Sequence, residues 1–404
     1  MKSNNQTPRT PEHELINQID HKKLNSDRLD RLQSVMRLQG VPACLFFQPA
    51  NIRYATGAAV MDVHTLGASE RYCLVPSNGE PILFEWDNAI SHSRKLVKDV
   101  RPALWWQYQG QRGDVLIAQF AFEIKDALNE LDVGARDPVG VDRADTLAVL
   151  ALQNAGVNLV SASKVTDRAR EVKTPEEVAL LRITGRIGCE VLAEFETAIR
   201  PGIREFELLA VLSDALLRRR GVVVFTRLVS SGQNTNPWGS EASDKIVEIG
   251  DLVAVDTDAN GYEGYVIDVS RTFLCGSEPT SEQKEAYRAA FDCITAMREA
   301  VRPGVSFAEF ARAVPALPDE YVAQSYGCMV HGAGLQNEGP VIYNPGQGDN
   351  PEDEYLEENM VMCLETYVGR VGGACGVKLE DQVLVGKSGA EILVDYPYDK
   401  HLLG

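Results

Sequence analysis

A chain of 404 residues, 44% hydrophobic and 24% charged, is long enough to bury two ordinary cores and has the composition of a soluble globular protein. Its 58 acidic residues outnumber 40 basic ones, and a formal charge of −18 argues against nucleic acid or an anionic membrane as partner. Eight cysteines are scattered through apolar runs with no C-x-x-C pair, the pattern of a reducing compartment and not of a zinc finger or a disulfide scaffold. The first thirty residues are polar and no apolar run approaches the length of a membrane span, so the expected location is the cytoplasm.

In chain order, residues 1–26 read as a polar arm. The spacing of Leu29, Leu32, Val35, Met36 and Leu38 predicts a helix over 27–40, and Ala43 to Phe47 a buried strand. Strands follow at 71–75 and 81–84 around the turn Ser77-Asn78-Gly79, then an amphipathic helix over 113–132 and a short parallel strand at Val139-Gly140-Val141-Asp142. This alternation defines an α/β first domain over 27–165. The polar stretch from Ser161 to Lys173 marks a boundary, and a second domain of mixed α/β character occupies 166–404. It opens with Thr174 as N-cap, Pro175 as first helical residue and Glu177 closing a capping box. That helix runs to Ile199, and others cover 206–219 and 282–301. Arg-Pro-Gly ends a helix at both 200–202 and 302–304, a hint of internal duplication.

Candidate chemistry gathers in the second domain. The stretch DLVAVDTDANGYEGYVIDVSRTF predicts a buried hairpin in which Asp256 and Asp258, two apart on one strand, face the same way, with Asp268 across the turn. Carboxylates brought together on apolar strands repel one another unless a cation sits among them. Further along come His331 in Met-Val-His-Gly-Ala-Gly-Leu, Glu365 at the end of an apolar strand, and Glu380 inside another. Several carboxylates and one imidazole suit two divalent ions, Fe, Mn, Zn or Co, sharing bridging carboxylates and activating water or polarising a substrate oxygen.

The order Asp…Asp-x-x-Arg-Thr-Phe…His-Gly-x-Gly…Glu…Glu resembles the pita-bread metallopeptidase and creatinase superfamily, from about residue 27 to the C-terminus. The resemblance implies a small creatinase-like N-terminal domain, a pita-bread catalytic domain, and a homodimer. It carries the ligand roles onto Asp256, Asp258, Asp268, His331, Glu365 and Glu380. The peptidases place their first metal-binding Asp where this chain has Thr257. Asp on both sides of that position looks like the dimethylsulfoniopropionate lyase branch, which eliminates dimethyl sulfide and leaves acrylate. The segments Asn51 to Thr56, Thr235 to Trp238, Tyr326 to Cys328 and Lys378 to Val383 are similar too. Tyr326 matches a substrate-side tyrosine of the lyases, and His64 stands where they carry a tryptophan against the sulfonium. Their base is an Asp six residues after the metal His; here that position is Asn337, whose amide has no basic lone pair, with Glu338 beside it. The reading is therefore a lyase-like enzyme acting on a small carboxylate. The alternatives are a metallohydrolase of the Xaa-Pro peptidase or small-amide type, and a binding homologue without turnover.

Overall fold

A computed structural model describes residues 16, 18–59, 71–276 and 278–404. The chain divides into two compact units, Asp20–Arg170 and one holding Glu171–Gly404.

The first unit opens on a helix, His21–Leu38, whose N-cap Asp20 accepts a hydrogen bond from the Lys23 amide at 3.0 Å. Its sheet contains β1 (Ala43–Phe46), β2 (Tyr72–Pro76), β3 (Ile82–Glu85), β4 (Asp99–Pro102), β5 (Pro138–Val141) and β6 (Asn158–Ser161), in the spatial order β4-β3-β2-β1-β5-β6. Strand β1 sits inside the sheet, antiparallel to β2 and parallel to β5. With both faces covered it must be apolar throughout, and so reads Ala-Cys-Leu-Phe. Tyr72, Phe84, Trp106 and Phe120 pack in the core above it. After β5, the Asp142 carboxylate accepts from the Phe47 and Gln48 amides at 2.7 and 3.0 Å and from Asn51 Nδ2 at 3.0 Å. An anion is favourable there because a helix, Pro49–Thr56, begins at that point. A further helix, Ser163–Glu171, runs across residue 165, and the division between the units falls after Arg170.

The second unit begins with the helix Pro175–Ala198, where both arms of the expected capping box are made, Glu177 N to Thr174 Oγ1 at 3.3 Å and Thr174 N to Glu177 Oε2 at 2.9 Å. Helices Glu205–Arg218, Ser281–Ala300 and Phe307–Ala313 follow. The two Arg-Pro-Gly turns are built alike. Gly202 and Gly304 take φ of 91° and 86°, and donate their N–H to Val247 O and Leu356 O. Each turn leads into an isolated antiparallel bridge, Arg204–Ile246 in one case and Ser306–Tyr355 in the other. The duplication suggested by three residues thus extends to the backbone around them.

The strands are β7 (Val223–Val224), β8 (Val229–Ser231), β9 (Leu252–Asp256), β10 (Ala259–Asn260), β11 (Val266–Ile267), β12 (Ser270–Leu274), β13 (Cys328–Ala333), β14 (Asn337–Tyr343), β15 (Val361–Gly369), β16 (Gly376–Val385) and β17 (Ala390–Ile392). They form sheets ordered β11-β10-β7, β12-β9-β8 and β14-β13-β15-β16-β17. Ala290, Ile294 and Met297 of the helix Ser281–Ala300 share one core with Leu364, Val377 and Leu379 of β15 and β16. Both strands are buried along their whole length.

The expected single hairpin over 252–273 is interrupted. Strand β9 stops at Asp256, where it pairs with Ser270 of β12, and the chain between them makes a separate β10–β11 pair. The break lies at Asp258, whose φ of 33° leaves the extended region and costs a non-glycine residue strain. Asp256 is thus set by the end of β9 and Asp258 by the break after it, and strand alternation does not carry from one to the other. Strand β15 also continues past Glu365 to Gly369 and does not end on it.

Candidate metal centre

Strand register brings the carboxylates together. Glu365 of β15 lies directly opposite Glu380 of β16, and His331 of β13 opposite Cys363 of β15. Asp256, Asp258 and Asp268 each place a carboxylate oxygen within 4.8 Å of the other two, and one atom each of Asp268, His331, Cys363 and Glu380 meets the same limit. His331 Nε2 is 3.5 Å from Glu380 Oε1, 3.6 Å from Asp268 Oδ2 and 3.8 Å from Glu365 Oε1. A β-bulge falls between His331 and Gly332 in the pairing of β13 with β14. A Cβ on Gly332 would stand 1.9 Å from Gly339 O, so only glycine lets the strands approach there. All six residues expected as ligands thus line one side-chain cluster, five of them carboxylates.

Thr257, between the two aspartates, turns away into the backbone. Its hydroxyl donates to Ile267 O at 3.0 Å and accepts from Val269 N at 3.0 Å. Asp258, half-buried, takes a hydrogen bond from Thr226 Oγ1 at 2.9 Å.

One residue central to the site, Lys378, was not among the sequence candidates. Its ammonium is fully buried, 2.9 Å from Glu365 Oε2, 3.0 Å from Glu380 Oε2 and 3.2 Å from Asp256 Oδ2. It also donates to Ser270 Oγ at 3.1 Å, and that hydroxyl donates to Glu380 Oε2 at 2.8 Å. Lys378 precedes Glu380 by two residues on β16, and Cys363 precedes Glu365 by two on β15. In a strand those pairs share a face, and this was the available signal.

Burial dominates the electrostatics. It pushes Asp256 and Asp268 well above the usual carboxylate range, with the Lys378 ammonium opposing. Burial raises Glu380 also, but Lys378 and His331 outweigh it and hold that carboxyl at about 2. Burial disfavours the His331 imidazolium, yet Glu380 and Glu365 lift it to about 9. Asp256 Oδ1, Asp268 Oδ2 and Glu380 Oε1 are buried and accept no hydrogen bond from the described residues. Orphaned anionic oxygens beside an imidazole nitrogen are the donor set of a divalent cation, so the residues present fit a metal.

The remaining candidates occupy different places. Tyr326 precedes β13 with its ring centroid 5.0 Å from Lys378 Nζ, and burial raises its phenol. Asn337 is exposed at the start of β14, cross-strand from Ala333. Glu338 points the other way, buried, with Oε1 2.6 Å from the buried Lys173 ammonium. His64 lies outside the described residues. Trp238, 6.3 Å from Tyr367 and 6.0 Å from Lys378 Nζ, closes the aromatic side.

A mixed α/β domain holding a buried carboxylate–imidazole cluster, preceded by a smaller α/β domain, defines a class of two-domain metalloenzyme. Residues 28–172 match the creatinase/prolidase N-terminal domain and residues 179–387 match metallopeptidase family M24. The chain belongs to that family. It is 31% identical over 397 residues to the dimethylsulfoniopropionate lyase DddP of Roseovarius nubinhibens, covering 95% of this chain and 89% of that protein. It is 24% identical over 377 residues to the Xaa-Pro dipeptidase of Pyrococcus furiosus, covering 91% and 97%. A crystal structure of prolidase from Thermococcus sibiricus shares the fold with a TM-score of 0.76 at 22% identity, covering 93% of this chain and 98% of that one.

Proposed function

We propose that the protein is a metal-dependent, lyase-like enzyme acting on a small carboxylate, with dimethylsulfoniopropionate as candidate substrate. The observation that carries this reading is the conformation of Asp256-Thr257-Asp258. Thr257 stands where the peptidases of the resembling superfamily keep a ligand, and its hydroxyl is used up on Ile267 O and Val269 N. The aspartates on either side of it converge on Asp268 instead. Similarity to the Roseovarius lyase along almost the whole chain supports the same branch.

Asp256, Asp258, Asp268, His331, Glu365 and Glu380 would hold the ions. When ionised, the five carboxylates less the Lys378 ammonium leave four negative charges, which two divalent ions balance. Bound ions would draw electron density from the substrate carboxylate and so acidify its α-carbon. Removal of the Cα proton then sends its electron pair into a Cα–Cβ double bond while the Cβ–S bond breaks. Dimethyl sulfide leaves with the sulfur electrons, acrylate remains, and one proton passes to solvent. Tyr326, whose ring meets the Lys378 cation at 5.0 Å, lies on the substrate side by the same resemblance. Glu338 is committed to Lys173, so the position of interest for the base is that of Asn337. A homodimer is the expected assembly.

The second reading, an Xaa-Pro dipeptidase or small-amide hydrolase, is supported by the family and by the Pyrococcus relative. Metal-reconstituted protein given dimethylsulfoniopropionate should release dimethyl sulfide, measured by gas chromatography. No release with metal loaded would sink the lyase reading, and release of the N-terminal residue from Xaa-Pro dipeptides would replace it with the hydrolase.

A further inference from the structure

The cluster contains one donor that the ligand set above does not use. Cys363 is fully buried on β15, two residues before Glu365 and on the same face, directly cross-strand from His331. Its sulfur, a nitrogen of His331 and one oxygen each of Asp268 and Glu380 all lie within 4.8 Å of one another. The sulfur's contact to Asp268 O is long, 3.9 Å. Asp268 Oδ2 and Glu380 Oε1 are 3.6 and 3.5 Å from His331 Nε2, buried, and accept no well-formed hydrogen bond from the described residues. Lys378 does not compete for this side of the cluster. It contacts Oε2 of Glu380 and Oε2 of Glu365, leaving their Oε1 atoms toward His331.

We infer that Cys363 is a sulfur ligand of the ion held by Asp268, His331 and Glu380, and that it selects a thiophilic ion there. The inference rests on the metal-centre reading. One nitrogen, one sulfur and two oxygens make a four-donor set that suits Zn(II), Fe(II) or Co(II), whereas an all-oxygen and imidazole set also accepts Mn(II). On binding, the thiol proton passes to the buffer as the sulfur–metal bond forms, no electrons are exchanged, and the thiolate adds a fifth negative charge to the four counted above. The sequence distinguishes this strand from one that carries only its carboxylate, because a thiol at the site-facing position before Glu365 adds a soft donor where an alcohol would add none.

The test uses full-length protein stripped of metal and reloaded with Co(II), with bound cobalt counted by elemental analysis. The native protein and Cys328→Ser, which removes the half-buried cysteine bonded to Val330 O, should both show sulfur-to-cobalt charge-transfer absorption in the near ultraviolet. Cys363→Ser should bind cobalt and lack that absorption. It should also lose more than about tenfold in Zn(II) affinity while Mn(II) affinity moves far less. Cobalt bound by the native protein without the absorption, or absorption that persists in Cys363→Ser, would overturn the sulfur ligand and leave the metal centre standing. A native protein that takes up no cobalt, zinc or manganese would overturn the metal centre itself. Should Cys363→Ser fail to fold, X-ray absorption of the zinc-loaded native protein and of Cys328→Ser decides. A sulfur scatterer at about 2.3 Å in both supports Cys363, and a shell of nitrogen and oxygen alone refutes it.

Discussion

At the scale of single residues, the site is organised by Lys378 as much as by its carboxylates. An ammonium with no exposure, within 3.2 Å of three carboxylate oxygens, is the fixed countercharge that lets Asp256, Glu365 and Glu380 be buried side by side. Lys378→Met leaves those carboxylates uncompensated, and breaking such a buried pair costs about 3–5 kcal/mol. Chemical denaturation should show a loss of that size in metal-free protein; a loss under about 1 kcal/mol would mean the ammonium is a bystander. Asn337 is the other decisive position. It is exposed, so a carboxylate there is hydrated and should shift stability by no more than about 0.5 kcal/mol. If the lyase geometry is retained, Asn337→Asp supplies a base and raises dimethyl sulfide release by at least about tenfold, toward the range of general-base catalysis. An unchanged rate places the base elsewhere. The acidic and imidazole residues were legible in the sequence because charged groups on apolar strands stand out. Lys378 was not, because a lysine is by default read as solvated, and only its two-residue offset from Glu380 marked it as facing the site.

At the scale of elements, what the sequence showed plainly was local chemistry. The capping box at Thr174 and Glu177, the Arg-Pro-Gly stops and the apolar strands of both units depend on neighbours in sequence, and they form as expected. What it hid depended on partners far along the chain. The interruption of the 252–273 hairpin arises where Asp258 leaves the ladder to meet Thr226 and the other carboxylates, a demand of the site that overrides strand propensity. The position of Glu380 is likewise set from outside its strand. Arg271, fully buried, donates to Glu380 O at 2.6 Å and to Asp381 Oδ1 at 2.9 Å, tying β12 to β16. The His331 bulge offers a direct test of element-level positioning. Gly332→Ala puts a Cβ 1.9 Å from the Gly339 carbonyl, backbone that has no flexible end to yield, so β13 and β14 must separate. The variant should remain folded with a stability loss of about 1–3 kcal/mol. Its Zn(II) affinity should fall by about 10–100-fold, as when a ligand loses its orienting support, read by competition with a chromophoric chelator. Native-like zinc affinity would show that the close approach does not aim His331.

At the scale of the whole molecule, the centre joins segments that are distant in sequence: the 256–268 stretch with its three aspartates, β13, β15 and β16 all converge on it. Ions bound there would act as cross-links within the second unit, and would stabilise it by mass action because the unfolded chain presents no such cluster. The first unit has a core of its own, built around Tyr72, Phe84, Trp106 and Phe120. Three of the four tryptophans, Trp86, Trp105 and Trp106, lie in that first unit, so indole fluorescence reports mainly on it. Removing metal with a chelator should therefore lower the calorimetric transition of the second unit, while the fluorescence-detected transition of the first moves far less. With ligand at about a hundred times its dissociation constant, the expected difference between loaded and stripped protein is about 2.7 kcal/mol per ion. Restoring Zn(II) or Co(II) should recover the transition of the second unit, and Mg(II), a hard ion that keeps its water, should not. If both transitions fall together on chelation, the two units unfold as one and the cross-link stabilises the whole chain; if neither moves, the carboxylate cluster binds no ion that matters to the fold.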